Sequence, residues 1–284
     1  SSKGSGIEFE NNWRFKVSAE IYKQLGDYSY PYMSFYLYNK PNFSLADRPM
    51  TVSYNFNEPS TLFNGMISPL IPYTMKGVVW YQGENNAFRH EEYGELFSLL
   101  ISDWRSKWDN DFSFYYVQIA PYFNYYNSNA SLREVQRKAL EVPKTGMVVT
   151  LDIGEKYDIH PSNKHDVGFR LARYALKNDY KIDLIDSGPL YMSQSIHEDV
   201  IKVFFKHFGD GLVLDENRYS EFEVAGIDKK YFVADVVNQN DFLEVFSDNV
   251  KNPLYVRYAW SDTSSASLFN SEGLPASSFN TENE

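Results

Sequence analysis

The sequence predicts an α/β fold: part of a parallel sheet covered by helices on both faces, followed by a smaller C-terminal β-sandwich. Three observations predict it. Between about 61 and 187, short continuous apolar runs alternate with amphipathic helical stretches, the pattern of a parallel sheet buried on both sides. After Gly188 the runs become short strands separated by Gly, Asn and Asp turns, the pattern of a sandwich. The chain has 284 residues, 43% of them hydrophobic and 23% charged, which is an ordinary globular composition with enough length for a sizeable core.

The order of elements gives three parts. Residues 1–60 read as an irregular, aromatic-rich lead-in or insertion, Tyr-rich from Tyr28 to Tyr38 and interrupted by Pro31. Residues 61–187 form the α/β part. Lys76–Tyr81 is a buried strand, and a helix from about Glu91 to Trp108 follows, with Tyr93, Leu96, Phe97, Leu100, Ile101, Trp104 and Trp108 on one face. Phe112–Ile119 is the second strand. Ser131 with Glu134 three residues on is a capping-box signature for a helix ending before Pro143. Met147–Ile153 is the third strand, and a helix covers about 163–178. Residues 188–284 hold the sandwich, with strands near 200–205, 222–225, 231–237, 242–246 and 254–258, and a boundary near 186–190.

Charge narrows the partners. Lys plus Arg is 27 against 38 for Asp plus Glu, a net charge of −11, which argues against nucleic acid and anionic membrane surfaces. No run approaches the ~20 apolar residues that a membrane helix needs. The absence of cysteine excludes disulfides, thiolate metal sites and a cysteine nucleophile. No metal-ligand spacing and no Gly-rich phosphate loop occurs, so neither metal nor cofactor is implied. Aromatics at 17% suit sugar rings and equally a packed aromatic core.

Chemistry in parallel α/β sheets collects beyond the carboxyl ends of the strands. The first strand ends in Gln82-Gly83-Glu84-Asn85-Asn86; after the third come Asp152 and then Asp158-Ile159-His160-Pro161. Asp158 and His160 have the spacing of an orienting carboxylate and an imidazole base, or of an incidental histidine in a helix-leading loop. Gln82 and Asn85 suit oxyanion donors or plain helix caps. Glu84 suits a substrate hydroxyl or a first-turn carboxylate favoured by the helix dipole.

The blocks Gly77–Ala87, Asp103-Trp104-Arg105, Gln118–Tyr122, Leu132–Arg137, Asp152–Gly154, Asp158–Pro161 with Asn163-Lys164, and Val167-Gly168 together closely resemble the sialate O-acetylesterase family. The segment Leu268–Phe279 is similar to the closing segment of its bacterial members. The resemblance implies a flavodoxin-like (SGNH hydrolase) sheet and removal of O-acetyl groups from sialic acids by a Ser-His-Asp arrangement. It implies His160 as base, Asp158 as orienter, and Gln82, Glu84 and Asn85 near the oxyanion and substrate. It implies an acetylated sialic acid or related glycan as ligand, and an extracellular or periplasmic site of action.

The family's front block, with its Gly-Gln-Ser-Asn-type serine, has no counterpart in these residues; Ser5, between two glycines, has no strand before it. The expectation is therefore an esterase whose serine lies outside this chain, with the Val78 strand left as a sheet edge open to association. The alternative is a non-catalytic carbohydrate-binding or structural fragment of such an enzyme.

Overall fold

The computed structural model describes residues 60–215 and 220–283, together with three short strands nearer the start of the chain. The chain divides into two units, Ser1–Tyr73 and Thr74–Glu284. In the first, β1 (Glu20–Lys23), β2 (Met33–Tyr36) and β3 (Val52–Ser53) form an antiparallel sheet in that order. Ser5 and much of the Tyr-rich stretch lie outside the described residues.

The second unit opens with β4 (Gly77–Trp80), α1 (His90–Trp108), β5 (Ser113–Val117), α2 (Asn129–Lys138), β6 (Thr145–Val148) and α3 (Lys164–Asn178). The strands are parallel in the order β4-β5-β6. Side-chain alternation along β5 explains why both faces are apolar. Phe114 and Tyr116 face α1, where Phe97 meets their rings edge-on at 5.8 and 5.0 Å. Tyr115 and Val117 face α3, where Tyr174 stacks on Tyr115 at 5.5 Å. Helix α1 buries Tyr93, Phe97 and Ile101, one helical stripe, while Leu96 from the expected stripe is 54% exposed. It ends at Asp109 in the left-handed conformation (φ 47°), whose N–H closes on the Arg105 and Ser106 carbonyls.

The capping box read at Ser131 does not form. Helix α2 starts two residues earlier, at Asn129, and Glu134 pairs with Arg137 instead. A residue more than a hundred positions away caps it: Asp262 Oδ1 accepts the Asn129 N–H at 2.8 Å. Long-range capping leaves no local signature. Helix α3 is capped locally, Asn163 accepting the Asp166 N–H at 3.2 Å.

The remaining strands are β7 (Leu190–His197), β8 (Val200–Lys206), β9 (Leu212–Leu214), β10 (Phe222–Ala225), β11 (Phe232–Val233), β12 (Asp235–Asn238), β13 (Phe242–Phe246), β14 (Tyr255–Tyr258), β15 (Leu268–Asn270) and β16 (Phe279–Asn280). They build two four-stranded antiparallel sheets, β11-β10-β14-β16 and β12-β13-β8-β7, with β15-β9 as a separate pair. Phe205 of β8 meets Phe279 of β16 at 5.9 Å, joining the two sheets through one aromatic core. The single strand read over 231–237 breaks at buried Ala234, whose N–H donates to Phe222 O at 2.9 Å, so that its halves serve different sheets. This is an SGNH-like α/β part followed by a β-rich part. Among the described residues no helix is long and apolar enough to cross a membrane.

Candidate active site

The carboxyl ends of β4, β5 and β6 carry the loops singled out in the sequence. Buried amides of α2 and of the residue after β5 organise the rim. Gln136 Oε1 accepts the Ile119 N–H at 2.9 Å, just beyond the last residue of β5. Gln118 Nε2 donates to Arg133 O at 3.0 Å and to Ser277 Oγ at 2.8 Å. The Leu132–Arg137 motif is thus a clamp on the end of β5. Gly83 packs against it: a Cβ there would lie 3.0 Å from Ile119 Cγ2 and 3.1 Å from Gln136 Nε2.

The loop after β6 is fixed by its own ties. Arg170 of α3 grips Asp152 with both terminal nitrogens, at 2.7 and 2.5 Å. Glu155 Oε1 accepts both the N–H and the hydroxyl of Ser162, each at 2.7 Å, closing the loop around His160. Those bonds hold its carboxyl below the ordinary glutamate range. Gly154 lies against the Pro121 backbone. An alanine Cβ would collide with Pro121 Cδ and sit 2.8 Å from Pro121 O, and proline cannot move aside. Gly154→Ala should therefore displace this rim and cost about 1–3 kcal/mol of stability, read as a lower urea midpoint at unchanged m-value.

These ties bring Gln82, Glu84 and Asn85 together with His160 around one cleft of about 400 Å³, completed by Tyr81, Ile159 and Lys164. Gln82 Nε2 donates to Asn86 Oδ1 at 2.7 Å, and its carbonyl accepts from Tyr93 at 3.1 Å. Glu84 opens a short 3₁₀ segment, Glu84–Arg89, ahead of α1, and its carbonyl faces the Tyr122 hydroxyl at 3.4 Å. Burial beside Glu84 pushes the Tyr122 phenol up to about 12, so it stays a proton donor. Asp158 Oδ1 accepts the backbone N–H of His160 at 2.8 Å rather than its ring. Among the described residues the His160 ring has no hydrogen-bond partner, and both residues are exposed. Lys164 and Tyr81 belong to the cleft but were not among the sequence candidates. Lys164 Nζ lies 4.7 Å from the Tyr81 ring centroid, bridging the β4 and α3 sides. The signal for it was Lys164 directly after Asn163 in a motif.

Known proteins are similar to this chain in sequence and, for one of them, in structure. The family model for carbohydrate esterase, sialic acid-specific acetylesterase matches residues 49–177. Mouse sialate O-acetylesterase is 34% identical over 154 residues, covering 46% of this chain and 28% of the mouse protein. The human protein of the same name is 31% identical, covering 46% of this chain and 29% of its own length. A carbohydrate acetylesterase from Xanthomonas citri superposes with a TM-score of 0.74 at 37% identity, covering 78% of this chain and 54% of that one. The matched region thus spans less than a third of the mammalian relatives and about half of the bacterial one. Fold and sequence together are similar to those of carbohydrate esterases. Residues 49–177 are similar to the sialic acid-specific acetylesterase family.

Proposed function

We propose that this chain carries the base-bearing half of a carbohydrate O-acetylesterase that removes O-acetyl groups from sialic acids. The observation that carries the reading is the cleft that sets His160 opposite Gln82, Glu84 and Asn85 at the carboxyl end of the parallel sheet. In this reading a serine hydroxyl attacks the acetyl carbonyl and passes its proton to His160. His160 returns the proton to the sugar oxygen as the ester C–O bond breaks. Water then cleaves the acetyl-serine by the same exchange, releasing acetate. In this reading Asp158, whose Oδ1 accepts the His160 backbone N–H, turns its carboxylate to the imidazole in the working enzyme and holds its tautomer. Gln82 and Asn85 donate toward the oxygen that becomes negative in the tetrahedral intermediate, and Glu84 accepts a sugar hydroxyl.

The serine belongs on a further strand beside β4, which is an edge of its sheet among the described residues. An extracellular or periplasmic location accords with a glycan substrate.

Labelling with a fluorophosphonate serine probe, run beside acetate release from O-acetylated sialic acid, tests the reading on this chain and on a longer native form. The expected result is labelling and turnover only in the longer form. Labelling and turnover by this chain alone would overturn the placement of the serine. Glycan binding without hydrolysis by either form would replace the esterase with a carbohydrate-binding module.

A further inference from the structure

Lys164 occupies the first position of α3. The start of a helix carries partial positive charge and favours acids, as Asp166 in the same turn illustrates. A lysine there runs against the dipole, and it is nonetheless held in place. Its Nζ donates to the Tyr81 hydroxyl at 3.4 Å and sits 4.7 Å from the Tyr81 ring centroid, a cation–π contact. Tyr81 directly follows β4, so the pair spans the mouth of the cleft that holds His160.

The surrounding charges make this cation distinctive. Among the described residues, Lys164 is the one lysine or arginine in the cleft lining, against the carboxylate of Glu84. Asp158 and Glu155 stand on the neighbouring loop, and the Glu155 oxygen nearest the loop closure is taken by Ser162. The chain as a whole carries −11, so its long-range field opposes an anionic ligand. An anion entering this cleft needs a local cation, and an ammonium bonded once to Tyr81 keeps two further donors. Sialic acids carry a ring carboxylate that is ionised at neutral pH.

We infer that Lys164, steadied on the Tyr81 ring, binds the substrate carboxylate and makes the cleft select acetyl esters of acidic sugars over neutral ones. The assignment rests on the esterase reading above for its reaction, but not for its binding.

Two readouts separate the two. The first compares kcat/KM of the full-length protein for an O-acetylated sialic acid and for its methyl ester, in which the carboxylate is masked. A charge-assisted contact predicts a preference of about tenfold for the free acid. Lys164→Gln should bring that ratio close to parity, and Lys164→Arg should keep most of it. The melting temperature of Lys164→Gln should stay level or rise, since a cation leaves the helix start.

The second readout is NMR titration of the chain with deacetylated sialic acid and with its methyl ester. Preference for the free acid, lost in Lys164→Gln, supports the subsite even if no ester is cleaved; in that case the esterase reading fails alone. Equal treatment of acid and methyl ester by the native protein overturns the subsite, as does a preference that survives Lys164→Gln.

Discussion

Replacing His160 with alanine should lower acetyl-ester turnover by the active, full-length protein about ten-thousandfold or more. The size follows from how such groups work. An attacking hydroxyl, its base and the base's orienter act as one unit, so removing one member removes nearly all that they contribute together. The cost should fall on chemistry and not on folding, because the His160 ring is exposed and has no partner among the described residues. Unfolding midpoints should therefore match the native protein within about 0.5 kcal/mol, as for most surface changes. Asp158→Asn should cost less, about a hundredfold or more, through loss of the favoured tautomer. The amide oxygen of that variant can still accept the His160 backbone N–H, so the turn survives and the readout isolates the carboxylate. Steady-state kinetics on an O-acetylated sialic acid measures both. A loss within about tenfold for His160→Ala would show that the base lies elsewhere.

The parts of this fold that were legible in the sequence are those whose cause is local. Helix α1 announces itself by Tyr93, Phe97 and Ile101, because a helix packed on a sheet must place an apolar side chain on each successive turn of one face. Strand β5 reads as unbroken apolar text because alternate residues serve two different helices. The motif Asp158-Ile-His160 was visible for the same reason, its turn being closed by bonds within the segment. What stayed hidden has distant causes. Nothing in Asn129–Lys138 says that Asp262 will cap it, and nothing in 231–237 says that Ala234 will be drawn to Phe222 and split the strand. The cation that completes the cleft was hidden differently: Lys164 is an ordinary helix lysine until Tyr81 is placed beside it.

Replacing Arg133 with methionine should destabilise the protein by about 3–5 kcal/mol, the largest stability loss expected of any single change in the site's support. Arg133 is wholly buried at the centre of α2. Its Nη2 donates to the carbonyls of Ala259 at 3.0 Å and Ser261 at 2.6 Å, and Nε donates to Ser278 Oγ at 3.2 Å. One side chain therefore fastens the helix that clamps β5 to a segment more than a hundred residues later. Burial lowers its pKa to about 10, so it remains charged at neutral pH, with Asp262 and Glu221 as the nearest opposing charges. Methionine fills the space but donates nothing, leaving the buried Ala259 carbonyl and Ser278 hydroxyl, the part-buried Ser261 carbonyl and the Asp262 carboxylate without their cationic partner. Burial already raises the Asp262 carboxyl above its ordinary value, and loss of the cation should raise it further. Stability of the variant should then fall as pH rises through the Asp262 titration, because the folded state holds that proton more tightly than the unfolded chain. Arg133→Lys, keeping the charge but not the fork, should lie between the two. Urea unfolding at two pH values measures all three proteins. A loss under about 1 kcal/mol for Arg133→Met would mean that the buried acceptors find other donors and that the C-terminal segment is held by its apolar contacts alone.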